Sequence, residues 1–394
     1  MRFQLTDEQR ALQDAVRSYL RDRFGPAQVR ALYEDPDSDG VPADLWRAMG
    51  EQGWLAVLVP EEHDGIGLGL LDAAVLARAF GTGTVPGPWT STVLLGEALR
   101  LAGSPEQQAA LLPALAAGEV KGAVALLRPG SSTPAGAPAT ADAEGRLSGR
   151  LELVEYAEVA DQLLVATPDG LHLVDPRGEG VTMHGHETLD RTSRLSTVEL
   201  SGAPAERLPG SSPEVLQELL DRAAVLVANE LVGLARFALM DTVEYDKTRV
   251  QFGKPVGSFQ AIKHDLADLH MRTTMAEHAG WYAAHAADVG ADDRELAASI
   301  SKVKATDVAF EVTGAMIQYH GGIGYTWEHH AHFYWKRAQR LQHTFGDAGQ
   351  HRERIARLAL DAGPLPGSPP EGTAEVAVAT AGSQGTGVPV GATA

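Results

Sequence analysis

Apolar residues recur every three or four positions through residues 6–120. Leu12, Val16 and Leu20 fall on one helical face, opened by a Thr6/Gln9 capping box. Asp44 is placed to cap a second helix that carries Leu45 and Trp46 and stops at Gly53. The stretch VPEEHDGIGLGLLDAAVLARAF then passes from a Gly-rich loop into an apolar helix, followed by the Pro-rich turn VPGPW at 85–89. From about residue 121 the pattern changes to short β-like runs, GAVALL, QLLVA, LHLV and LSTVEL, separated by turn residues. These predict a small antiparallel domain to about residue 208, with RPGSSTPAGAPAT (128–140) as a Pro/Gly/Ser-rich loop. Ser212-Pro213, an N-cap followed by an N1 proline, restores the helical pattern. Helices are expected over 213–247, 259–288, 293–319, 329–342 and 349–361, the third opened by an Asp292/Glu295 capping box. Long amphipathic helices with short connections imply a bundle.

The expected fold class is therefore mainly α with a small central β domain. Residues 1–120 form an N-terminal helical domain, 121–210 the β domain and 211–362 a C-terminal helical bundle. Residues 363–394 carry only two charges among Pro, Gly, Ala, Thr and Val, a composition expected of a disordered tail.

Composition narrows the partners. With 33 Lys+Arg against 52 Asp+Glu, the net charge of −19 repels nucleic acid and anionic membranes. A local arginine still suffices for an anionic cofactor or ester. The absence of cysteine excludes disulfides, thiolate metal ligands and thiol nucleophiles. The first twenty residues lack the apolar core of a signal peptide, and no apolar run approaches the ~20 residues of a membrane span. A cytoplasmic location is expected.

Two segments carry the most specific pattern: YDKTRVQFGKPVGSFQ (245–260) and QYHGGIGYTWE (318–328). Together with LTDEQRALQDAVRSYL near the start and GWLAVLVPEEHDGIGLG at 53–69, they resemble the acyl-CoA dehydrogenase family. The resemblance implies an N-terminal helical domain, a β-barrel or sandwich domain and a C-terminal four-helix bundle. It implies FAD as cofactor, an acyl-CoA-type substrate, an electron-transfer acceptor and an oligomer in which a neighbouring subunit reaches across to the adenosine end of the cofactor. Carried over by position, Arg249 contacts the FAD pyrophosphate, Phe252 the adenine side and Gln260 the nucleotide end. Gln318, Gly321 and Gly322 match the family's second dinucleotide segment. A guanidinium suits a pyrophosphate, an aromatic suits an adenine face, and paired glycines let backbone approach phosphate. The glycines also fit a helix C-cap near His320.

The departures are equally specific. Where the family places a Thr-Glu-Pro-rich flavin-contacting segment, this chain has Leu127-Arg128-Pro129 and the low-complexity loop. The second flavin segment, with an aromatic and a Ser/Thr before an Ala-Asp strand, reads LVEYAEVADQLLV. Ungapped counting puts Phe345 at one family position for the catalytic carboxylate and Ala223 at the other, 26 residues before Arg249. Neither accepts a proton. Asp347 and Asp221 are the nearest substitutes. Asp221 is rotated by about 200° on its helix, and Asp347 doubles as an N-cap for 349–361. His320, His329, His330, His332 and His343 crowd one region. Without cysteine or a tight acidic partner set, no metal site is expected there. His343 is also a candidate for flavin–oxygen chemistry. Glu230, Asp241 and Glu244 read as a solvated face or an intersubunit contact.

Three readings follow. The chain resembles the non-catalytic subunit of actinobacterial α2β2 acyl-CoA dehydrogenases, giving Arg249, Phe252, Gln260 and Gln318 to a shared FAD site. Alternatively it is a self-sufficient FAD enzyme with Asp347 as displaced base, or one with non-dehydrogenase flavin chemistry. A flavin-free binding protein is the third.

Overall fold

Local capping sets where the first helices begin. The computed structural model describes residues 4–361 and opens with α1 (Asp7–Arg23), α2 (Pro26–Glu34), α3 (Ala43–Glu51), α4 (Leu70–Thr82), α5 (Trp89–Ala102) and α6 (Pro105–Ala117). The Thr6/Gln9 capping box forms as expected, and Ser104/Gln107 repeats it at α6. α3 starts earlier than expected: its N-cap is Pro42, so Asp44 lies in the first turn and pairs with Arg47. The N-terminus of α4 is capped across the fold, Leu70 and Leu71 N–H donating to the Asp288 carboxylate at 2.7 and 3.0 Å.

The strands are β1 (Gly122–Ala125), β2 (Ala139–Ala141), β3 (Leu147–Glu155), β4 (Gln162–Thr167), β5 (Gly170–Val174), β6 (Val181–His186), β7 (Leu195–Ala203) and β8 (Glu206–Arg207). They form two four-stranded sheets, β1-β4-β5-β8 and β2-β3-β7-β6. Their core is Ala123, Leu147, Leu151, Leu163, Val165, Val198 and neighbours. β1 pairs with β4 in parallel, which corrects the expectation of a wholly antiparallel domain. The chain leaves β1, builds β2 and β3 in the other sheet and returns, so the direction is preserved. β3 and β6 were not foreseen, because both alternate with exposed polar residues and contain no continuous apolar run. A register shift between Leu151 and Val154 bends β3, with Leu153 at φ +56.

After Ser212, whose hydroxyl accepts from Val215 N–H as expected, α7 runs from Pro213 to Thr248. A short hairpin, β9 (Val250–Gln251) and β10 (Lys254–Pro255), leads to α8 (Gln260–Asp288), α9 (Arg294–Tyr319), α10 (Ala331–Leu341) and α11 (Ala348–Ala356), then a π-helical turn to Asp361. The Asp292/Glu295 box does not form. Asp293 is the N-cap residue and accepts from the Tyr282 hydroxyl at 2.6 Å, while Glu295 pairs with Arg354. α7 is long and apolar enough to span a bilayer, yet 83% of its most apolar window is buried inside the protein, so it reads as the core helix of the bundle. The expected tail, 363–394, lies outside the described residues.

α4 and α7 cross at two glycines. A Cβ at Gly81 would lie 2.1 Å from Glu230 O, and one at Gly233 would lie 1.9 Å from Arg78 O. Gly314, on α9, faces open space. Gly233→Ala is therefore expected to destabilise the chain by about 1–3 kcal/mol in chemical denaturation through overpacking, whereas Gly314→Ala should stabilise it by about 0.5–1 kcal/mol.

Candidate functional site

Between the sheets and the bundle lies a cavity of about 430 Å³. Its walls are the segment after β1 (Leu126–Ser131), the end of β3 (Glu152–Tyr156), Val227 and Glu230 of α7, Arg337 and Arg340 of α10, and the loop 341–347. One wall is a buried ionic network. Arg337 Nε donates to Glu230 Oε1 at 2.8 Å, and its Nη1 donates to Thr192 Oγ1 at 2.8 Å. Arg340 Nε donates to Asp190 Oδ2 at 2.9 Å, and its Nη1 pairs with Glu155. Glu230, Arg337 and Asp190 are 5%, 5% and 3% exposed. Despite burial, Glu155 and Asp190 raise the affinity of Arg340 for its proton, and Arg340 and Arg337 hold Asp190 below the usual carboxylate range. The expectation that Glu230 sits on a solvated face is thus corrected: its partner, Arg337, lies 107 residues away in sequence. Tyr156 completes the wall, accepting from Gly87 N–H and donating to Thr192 O, each at 2.7 Å.

Phe345 lines this cavity at φ +55, while Ala223 is fully buried outside it. Asp347 also lines it and N-caps α11, its Oδ1 accepting from Gln350 N–H at 2.9 Å. Asp221 points away from the cavity and is held bidentately by Arg354. His343 lines the cavity.

The 341–347 loop is fixed from behind by groups not singled out in the sequence. Lys302, fully buried on α9, donates to Gln342 O at 2.9 Å and Gly346 O at 2.8 Å. Burial pushes its amine down to about 7, with Asp347 pulling the other way. His351 Nε2 lies 3.0 Å from Phe345 O, and burial pushes this imidazole down to about 4, so the neutral ring donates to the carbonyl. A lysine inside the apolar stretch of the 293–319 helix was the available signal.

The remaining candidates gather at one end of the bundle. Arg249 is the C-cap residue of α7, Phe252 tips the β9–β10 hairpin at φ +52 and 92% exposure, and Gln260 opens α8. Gln318 lies in the last turn of α9; Gly321, at φ +62, and Gly322 follow it. Three contacts assemble this end. Tyr245 stacks on His320 with centroids 4.4 Å apart, the Tyr319 hydroxyl donates to Asp265 at 2.5 Å, and Phe252 meets Phe259 edge-on. All six candidates are exposed, and none lines the inner cavity. A Cβ at Gly322 would meet no atom within 4 Å, leaving that backbone open to an approaching group.

Beneath this end, Asp246 is 1% exposed with neither carboxylate oxygen hydrogen-bonded among the described residues. Asp241 is not simply solvated: His320 and His330 face its Oδ2 at 3.5 and 3.1 Å. Glu244 is exposed beside Lys247, as expected.

Residues 6–119 match the family model "Acyl-CoA dehydrogenase, N-terminal domain", and residues 214–360 match "Acyl-CoA dehydrogenase, C-terminal domain". Acyl-CoA dehydrogenase IpdE2 of Mycobacterium tuberculosis is 34% identical over 333 residues, 84% of this chain and 91% of that protein. A steroid acyl-CoA dehydrogenase, the Tcur3481-Tcur3483 G363A variant, superposes with TM-score 0.83 at 32% identity over 90% of this chain and 98% of its own. The ChsE4-ChsE5 complex of M. tuberculosis gives 0.83 at 27% identity over 91% and 98%.

Two outcomes are expected. Glu230→Ala should cost about 3–5 kcal/mol in denaturant, because it strands a buried guanidinium, and the double change Glu230→Leu/Arg337→Met should cost less than that single one. Burial holds the Asp246 carboxyl up at about 6 against an ordinary 3.8. The folded state is therefore penalised progressively as pH rises from about 4 to 6 and fully above it. Asp246→Asn should match wild type near pH 4 and be more stable by about 1–3 kcal/mol at pH 7–8, read from denaturation midpoints at both pH values.

Proposed function

Because the chain belongs to the acyl-CoA dehydrogenase family, oxidoreductases acting on CH–CH bonds, we propose that it is a subunit of a hetero-oligomeric acyl-CoA dehydrogenase and completes a related subunit's FAD site. FAD, when bound, supplies the hydride acceptor for α,β-desaturation of an acyl-CoA thioester, and a carboxylate must take the α-proton. The observation carrying the proposal is a separation. The residues suited to the nucleotide end of FAD are exposed together at one end of the bundle, and the inner cavity has paired buried charges on one wall and, on another, Phe345 at the position that counting along the family pattern gives to the base.

The fit of FAD divides the same way. Arg249 offers a charge-assisted pair to a pyrophosphate, Phe252 an uncovered ring to adenine, Gln260 and Gln318 amide groups to ribose or phosphate, and Gly321-Gly322 an open backbone. Inside, Glu155 stands just before the Ala-Asp strand and is taken by Arg340, and Leu127-Arg128-Pro129 line the opposite side, where the first hydroxyl of that segment is Ser131. These groups fit an isoalloxazine of the chain's own poorly. The likeness to a steroid acyl-CoA dehydrogenase and to a two-protein complex supports a bulky acyl-CoA as substrate and a related subunit as partner.

A second reading rests on Asp347 and His343, which do line the cavity: a self-sufficient flavoenzyme using Asp347 as base. Co-expression with a glutamate-bearing relative separates the two. The proposal expects an FAD-containing, active complex in which Arg249→Ala on this chain weakens FAD binding by roughly 10- to 100-fold and Asp347→Asn leaves turnover unchanged. A stable, active homo-oligomer losing about 10²–10⁴-fold in turnover on Asp347→Asn would establish the second reading instead.

A further inference from the structure

Asp241 on α7, His320 just after α9 and His329 before α10 bring three donor atoms within 4.8 Å of one another. His320 is 3% exposed, and its Nδ1 lies 2.7 Å from Met316 O. A carbonyl only accepts, so Nδ1 carries the proton. Nε2 then faces Asp241 Oδ2, another acceptor, at 3.5 Å. A metal ion between these two facing acceptors would be bound by both. His330 Nε2, 3.1 Å from the same Oδ2, can donate to it and fix the carboxylate. His329 stacks on His330, with centroids 4.5 Å apart, and packs tilted against His320, with centroids 4.4 Å apart.

We propose that Asp241, His320 and His329 bind one divalent transition-metal ion of the zinc and cobalt class, with His330 positioning the carboxylate. Imidazole and carboxylate donors without thiolate favour this class over magnesium or calcium. Bonds of about 2.0–2.1 Å place tetrahedral donors about 3.4 Å apart, so the widest pair closes by roughly 1.4 Å, within reach of side-chain rotation. His329 makes one rearrangement: its Nδ1 now accepts from Ala331 N–H at 3.2 Å, and ligation through Nε2 shifts the ring proton to Nδ1 and releases that contact. The ion straps α7 to the two ends of the 320–330 segment, directly behind Gly321 and Gly322. The site stands independently of the proposed subunit role.

The test uses the untagged, chelator-stripped full chain titrated with Co²⁺ alone, followed by visible absorption and equilibrium dialysis. One equivalent per chain, a ligand-field spectrum of low coordination number and a raised melting temperature are expected. His329→Ala and Asp241→Asn should each weaken binding by at least about tenfold with the circular dichroism spectrum unchanged. Absence of one-equivalent binding by the wild-type chain would overturn the proposal. Tight binding unaffected by His329→Ala would overturn it as well, placing the ion elsewhere.

Discussion

The joint between the sheets and the helical bundle combines an apolar seam, where Leu164, Leu171 and Leu208 share one buried cluster with residues of α7, with an ionic network at the cavity. Arg337 and Arg340, one turn apart on α10, tie three elements together: Arg337 pairs with Glu230 on α7 and donates to Thr192, and Arg340 pairs with Glu155 and Asp190 on the strand side. Desolvating such charges costs several kcal/mol each, and only good geometry with further hydrogen bonds offsets it. Thr192, Tyr33 and Tyr156 provide those bonds, so α10, the end of β3 and the segment before β7 have a single mutual placement. That network is also a cavity wall. A wall whose charges are already satisfied offers little to a polar ring placed against it, and the chemistry of the cavity follows from the mechanics of the joint.

The opposite wall shows the same use of polar groups for position. Lys302 and His351 spend their donors on backbone carbonyls of the 341–347 loop, and Asp347 spends one oxygen capping α11. Phe345 is thereby fixed facing the cavity at a left-handed φ. At the other end of the bundle the balance reverses. Tyr245, His320 and Tyr319 do the positioning, leaving Arg249, Phe252, Gln260 and Gln318 uncovered.

What the sequence made legible was local. The Thr6/Gln9 box and the Ser212-Pro213 start formed as read, because capping involves residues three apart. The parallel pairing of β1 with β4 was not legible, since Gly122 meets Gln162 only after an excursion through the second sheet. Burial of Glu230 and the pairing of Asp241 were misread for the same reason: Arg337 and His330 are 107 and 89 positions away. Phe345 and Ala223 were placed by counting along the family pattern. The cap that Asp347 makes on α11 formed as read, because it too is local; that the same residue lines the cavity was not legible.

The flavin content of this chain purified alone, measured by absorbance after denaturing release, distinguishes a chain that shares a site from one that holds FAD by itself. Little or no FAD per chain is expected if this chain supplies only part of a shared site, with Glu155 taken by Arg340 on one wall of the cavity and Phe345 on the other. Close to one FAD per chain would contradict it, and would mean that the cavity between Glu155 and the 341–347 loop holds a flavin unaided.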